Sequence, residues 1–135
     1  MDTGDAPRRL RVLEVVRPPD GTTRYIDQVV GFADDDIWFS YISPRHMLRG
    51  DQDVVHFHWP EMIVRHRLRA VESMKSALLR LWIRSLRRRR IAIVRTLHNL
   101  HPHEDQRPAV RRALTDLDRA TDLFVAINPT TPLPD

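Results

Sequence analysis

Five of the seven histidines in this 135-residue chain fall in two short stretches, His56-Phe57-His58-Trp59-Pro60-Glu61 and His98-Asn99-Leu100-His101-Pro102-His103-Glu104. Imidazoles and carboxylates gathered at that density suit proton transfer, hydrogen bonding of substrate hydroxyls, and metal ligation. His56 and His58 are two apart in a β-rich run and so share one face, while Pro102 fixes the loop path between His101 and His103. His56 lies deeper in that run and reads equally well as a core histidine. His98 closes an apolar run and precedes Asn99, a residue suited to a turn or to hydroxyl recognition. The acidic groups Asp34-Asp35-Asp36, Asp51-Gln52-Asp53 and Asp116-Leu117-Asp118 read instead as solvated turns or helix-surface charge.

The elements that must position these groups follow from hydrophobic patterning. Leu10 to Val16 is a β-branched run closed by Pro18-Pro19-Asp20-Gly21, a strand and its turn. Thr22 or Thr23 can cap a helix running to about Phe32, with Tyr25, Ile26 and Val29 or Val30 on one buried face. Ile37 to Ile42 is a second strand, Pro44 to Asp51 a polar connection without a clear helix, and Asp53 to Trp59 a third strand stopped by Pro60. Apolar residues at 68, 71, 74, 78, 81, 82 and 86 predict one long amphipathic helix from about Ile63 to Arg90, with those positions as its buried face. A fourth strand (Ile91 to Leu97), a helix (Pro108 to Ala120) and a fifth strand (Asp122 to Ile127) complete the series.

Strands alternating with helices predict an α/β, Rossmann-like domain: a mainly parallel sheet of about five strands, in the order two, one, three, four, five, with helices on both faces. Residues 1–9 read as a flexible tail, 10–128 as the domain, and 129–135 as the start of a linker to an absent second domain. Ligands of such sheets bind outside the carboxyl ends of the strands. Arg17 to Thr23, His58 to Glu61, His98 to Glu104 and Asn128 to Thr131 all follow strands, so the reactive residues are expected along one edge.

Composition narrows the chemistry. Without cysteine there is no disulfide framework, thiolate zinc site or thiol nucleophile, which suits a reducing compartment. Apolar residues at 41% and charged residues at 30% indicate a packed globule of one domain. Met1 to Arg9 lacks a secretory pattern, so the cytoplasm is expected, and no run is long enough to span a bilayer. The formal charge of +4 is mostly arginine, concentrated at Arg84, Arg87, Arg88, Arg89 and Arg90. Those cations either complement the negative end of the long helix or contact an anionic membrane surface from the inner face. No recognition helix, stacking motif or zinc spacing accompanies them, so nucleic acid is not an expected partner.

The two histidine-rich stretches, taken in order and one helix apart, resemble the N-terminal, acceptor-side domain of bacterial GT-B glycosyltransferases, the sugar-nucleotide-dependent mannosyl- and glucosyltransferases of polysaccharide biosynthesis. The resemblance spans about residues 10 to 128. It implies transfer of a hexose from a nucleotide sugar to a carbohydrate or lipid-linked acceptor, in a cleft completed by a donor-binding domain or subunit. It also implies that this domain alone binds no cofactor and is inactive. By that resemblance His98 is the catalytic contact; His58, Glu61, Asn99, His103 and Glu104 shape the substrate pocket; and Gly21 and Thr22 approach donor phosphate, with no metal. The acidic pair spaced eight apart that marks the donor domain of many retaining members is not found in this chain. Two alternatives stand beside this reading: a non-catalytic binding domain or split subunit, and a metal hydrolase built from His56, His58, His98 or His103 with Glu61 or Glu104.

Overall fold

The computed structural model describes residues 8–22, 24–98, 106–130 and 133–134. In chain order they form β1 (Leu10–Glu14), α1 (Arg24–Gly31), β2 (Ile37–Tyr41), α2 (Pro44–Arg49), β3 (Val54–Phe57), α3 (Pro60–Val64), α4 (Arg69–Arg88), β4 (Ala92–Leu97), α5 (Pro108–Ala120) and β5 (Leu123–Ala126). The sheet order is β2-β1-β3-β4-β5, and every neighbouring pair is parallel. Both the class and the strand order agree with expectation, with each of the strands a residue or more shorter than its apolar run.

Alternation along the strands divides the sheet chemically. Leu13, Val15, Val55, Phe57 and Ile93 face one side and pack against Leu79, Trp82, Ile83 and Leu86 of α4 and Ala113, Leu114 and Leu117 of α5. This is the main core. The residues between them, Val12, Glu14, His56 and Thr96, are also buried and belong to the other side, where α1 supplies Ile26 and Tyr25. An apolar layer thus anchors one face of β1, β3 and β4, and a polar cluster occupies the other.

Three features depart from the sequence expectations. The connection after β2 is a short helix, α2. Ser43 caps it by accepting the His46 N–H, Pro44 begins it, and Gly50 ends it in the left-handed region at φ 60°. The helix expected from about Ile63 to Arg90 is two helices, because Pro60 starts α3 directly after β3 and Arg65 turns extended at ψ 134°. The break is held by Glu72 of α4, whose carboxylate accepts the His66 N–H at 3.1 Å and the Arg107 guanidinium at 3.0 Å.

The third departure concerns which side of α4 is buried. Trp82 and Leu86 are buried as expected, but Leu68, Met74, Leu78 and Leu81 are exposed, and Glu72, Ser76, Leu79 and Ile83 take their place inside. The helix carries apolar residues on two faces. Spacing alone could not choose between them; contact with the sheet and α5 did.

Candidate functional site

β1 connects to β2 on one side of the sheet, while β3 connects through α3 and α4 to β4 on the other. Crossovers leaving in opposite directions mark the carboxyl ends of β1 and β3 as the usual place for a ligand crevice in such sheets. Glu14 is the last residue of β1 and pairs in register with His56 of β3. His56 is in turn opposite Val94 of β4, which brings Thr96 and His98 to the same rim.

The Glu14 carboxylate is completely buried and joins the two histidines. His58 donates from Nε2 to Glu14 Oε2 at 2.5 Å, and His56 Nδ1 lies 3.3 Å from Glu14 Oε1. The other His56 nitrogen, Nε2, is 2.8 Å from Thr96 Oγ1, which lies 3.3 Å from the Tyr25 hydroxyl. When His56 donates Nδ1–H to Glu14, its Nε2 accepts from Thr96, and Thr96 accepts from Tyr25. A chain of hydrogen bonds thus runs from β1 through β3 and β4 to α1, so each group is held by a rigid element.

Burial pushes the Glu14 carboxyl up, but hydrogen bonds from His56 and His58 outweigh it and leave the group below its usual range. Burial holds the His58 imidazole down, against the raising effect of Glu14. At neutral pH the centre of the cluster is therefore an ionised carboxylate beside a neutral His58.

His98 sits one residue beyond β4. Its ring stacks on Trp59 at a centroid distance of 4.2 Å, meets Tyr25 edge-on at 5.1 Å, and is 5.9 Å from His58. Burial, reinforced by His58 and His56, holds its pKa down at about 4, so the ring is neutral at pH 7. A neutral imidazole can accept a hydrogen bond from a hydroxyl but offers no positive charge to a developing anion. Among the described residues, His98 Nε2 and His58 Nδ1 are buried without a partner. A half-buried tryptophan stacked on an imidazole with a spare nitrogen offers an aromatic surface and a hydrogen-bond acceptor side by side.

The remaining expected residues are placed differently. Glu61, half-buried in the first turn of α3, stands by Arg95 and supports its charge against burial. Arg95 also pairs with Asp118 of α5, which puts Glu61 with the core-side helices rather than with the imidazoles. Gly21 adopts φ 79°, and the Thr22 N–H expected to meet a phosphate is taken by the Asp20 carboxylate at 2.9 Å. Asn99, His101, His103 and Glu104 lie outside the described residues. Of the acidic groups, Asp53 accepts the Arg11 N–H and Asp116 pairs with Arg80.

Glu14, Tyr25 and Thr96 were not singled out in the sequence. Glu14 did leave a trace, as the lone carboxylate in the run Leu-Arg-Val-Leu-Glu-Val-Val at a position that alternation sends inward. A buried charge needs partners, and two histidines two apart in the neighbouring strand supply them.

The five parallel strands and their flanking helices define an α/β, Rossmann-like domain. The chain is 34% identical over 128 residues, 95% of its length, to a GDP-mannose:glycolipid 4-beta-D-mannosyltransferase of Xanthomonas campestris pv. campestris. It matches equally the protein of the same description from a named strain of that pathovar. The chain spans 37% of the length of these relatives. No family model matches it, and no solved structure does.

Proposed function

We propose that this domain is the acceptor-side part of a GT-B hexosyltransferase that moves a hexose from a nucleotide sugar to a carbohydrate or lipid-linked hydroxyl. One observation carries the reading beyond similarity: the crevice above β1, β3 and β4 gathers His98, Trp59, His58 and Tyr25 at one rim, with a neutral imidazole nitrogen unpaired there. Trp59 is the surface on which a sugar ring lies, His98 accepts a hydrogen bond from a sugar hydroxyl, and the Glu14–His58 pair fixes the floor beneath. A second, donor-binding domain or subunit closes the crevice and brings the nucleotide sugar. The phosphate role of Gly21 and Thr22 is not carried forward, because Asp20 already fills that turn with negative charge.

The exposed band Met74, Leu78 and Leu81 on α4, ending in Arg84 and Arg88, fits the same reading. An apolar stripe flanked by guanidinium groups suits a shallow hold on an anionic bilayer, where a lipid-linked acceptor would reside. The domain then works peripherally on the cytoplasmic face. No described helix is long and apolar enough to cross a membrane.

The decisive experiment is reconstitution. The chain is combined with a donor-binding domain from the reading frame that encodes or adjoins it, and supplied with GDP-mannose or UDP-glucose and a membrane glycolipid extract. Sugar incorporation that needs both parts is expected. No transfer with any nucleotide sugar, together with no binding of glycolipid to the chain, would leave a non-catalytic interaction domain as the better reading.

A further inference from the structure

We propose that Glu14, His56 and His58 form a binding site for one divalent transition-metal ion of the zinc type, held by a carboxylate oxygen and two imidazole nitrogens. The ligand atoms, a Glu14 oxygen, His56 Nδ1 and His58 Nε2, all lie within 4.8 Å of one another. His56 Nδ1 is 3.3 Å and 3.2 Å from the two carboxylate oxygens. Ligands about 2.0 to 2.2 Å from a tetrahedral zinc are separated by roughly 3.4 Å, so this edge is already at the required length. The His58 to Glu14 edge is 2.5 Å and must open by less than about 1 Å for an ion to enter between them.

The surroundings favour a cation. Glu14 is fully buried, and among the described residues no arginine or lysine pairs with it. A divalent ion would supply the missing countercharge. Two nitrogens and one oxygen suit zinc and its neighbours, whereas magnesium and calcium take oxygen ligands. The ligands come from β1 and from β3 and its immediate extension, so the site does not have to be assembled from loops.

The supporting hydrogen bond of His56 is also in place. A histidine that binds metal through one nitrogen commonly donates the other N–H to an oxygen that fixes its tautomer. His56 bound through Nδ1 would carry its proton on Nε2, 2.8 Å from Thr96 Oγ1, and Thr96 could pass its own proton to Tyr25. Three protein ligands leave one position of a tetrahedron for water or for a ligand hydroxyl. His98 lies 5.9 Å from His58 between ring centroids and has an unpaired nitrogen. The site adds a metal where the family resemblance implied none, and its existence does not depend on sugar transfer.

The test uses the untagged full chain, stripped of metal by chelation and titrated calorimetrically with zinc chloride, with bound metal counted by elemental analysis after dialysis. One zinc per chain is expected. Thr96→Val, which removes only the support of His56, should weaken binding about 10- to 100-fold, and Glu14→Gln at least as much. His46→Ala, away from the cluster, should leave it unchanged. Thr96→Val keeps the test decisive if Glu14→Gln does not fold. Absence of zinc binding overturns the proposal, as does binding that persists unchanged in Thr96→Val or that disappears in His46→Ala. Failure of the reconstituted transferase would leave this result untouched, and failure to bind zinc would leave the transferase reading standing.

Discussion

His58 donates from Nε2 to Glu14 Oε2 across 2.5 Å, and neither side chain reaches solvent. Glu14 also receives His56, so one carboxylate partners two buried imidazoles. Removing it strands both. Glu14→Leu should therefore destabilise the metal-free protein by about 3 to 5 kcal/mol, the usual cost of breaking a buried polar pair from one side. Glu14→Gln, which keeps an acceptor oxygen, should cost less. Urea unfolding followed by circular dichroism measures both, and a loss below about 1 kcal/mol for Glu14→Leu would show that the cluster is not a unit.

Gly50 ends α2 in the left-handed region, and a Cβ there would run into the Arg89 guanidinium. The backbone alone makes alanine unfavourable by about 1 kcal/mol, and moving Arg89 also breaks its hydrogen bond to the Leu48 carbonyl. Gly50→Ala should lower the melting temperature, whereas Gly31→Ala, at a helix end with open space, should not. Equal effects at the two glycines would rule out this account.

Much of the architecture was readable because each strand is a compact β-branched or aromatic run separated from the next by helix or turn. Right-handed crossovers then leave few orders for five parallel strands. What was lost has physical causes. Leu78 and Leu79 of α4 are both apolar, and only the sheet beneath decides which is buried. The signs of α2 were present, with Ser43 and Pro44 at its start and Gly50 after its end, but six residues are too few for periodicity to register. At the site, His56, His58 and His98 were visible as a concentration of one rare residue. Glu14 and Thr96 were hidden because each is a single polar residue in an apolar strand, and only the pairing of β1, β3 and β4 shows that they meet. Glu61 was grouped with the imidazoles by the family resemblance, and in the fold its charge acts on Arg95.

Asp53 accepts the Arg11 N–H at 2.9 Å and so ties the entry of β3 to β1. That hydrogen bond, with Arg11 and Arg8 beside it, holds its carboxyl below the usual range despite some burial. A folded-state pKa depressed below the unfolded value of about 3.9 gives stability that is present above that pH and lost as pH falls through the folded value. Asp53→Asn should accordingly be less stable than the wild type at pH 7, with the gap narrowing below about pH 4. Denaturant midpoints measured from pH 7 to pH 2 test the sign. A gap that widens on acidification would contradict it.

His98 carries the proposed contact with a sugar hydroxyl while remaining neutral. In the reconstituted enzyme, His98→Ala should reduce turnover with the fold intact, by about tenfold if one hydrogen bond is lost. His98→Asn, which keeps an acceptor, should recover part of it. Because the ring titrates near pH 4, the loss should be the same at pH 6.5 and pH 8. Unchanged turnover in His98→Ala removes the residue from the site.

Arg84 and Arg88 extend from the exposed side of α4 below Met74, Leu78 and Leu81, whereas Arg87 is already paired with Asp122. Only part of the basic run is thus available to a surface. A guanidinium near an anionic bilayer contributes about 1 kcal/mol, and an apolar side chain gains roughly 25 cal/mol per Å² that it withdraws from water. The purified chain should co-sediment with vesicles rich in phosphatidylglycerol and not with neutral ones. Arg84→Glu with Arg88→Glu should weaken that binding at least tenfold, since two favourable terms become repulsive. Leu78→Asp should weaken it at any salt concentration, whereas the arginine contribution should fade as salt shortens the screening length. Equal binding to neutral and anionic vesicles, or no response to either change, would instead assign the apolar band to contact with protein.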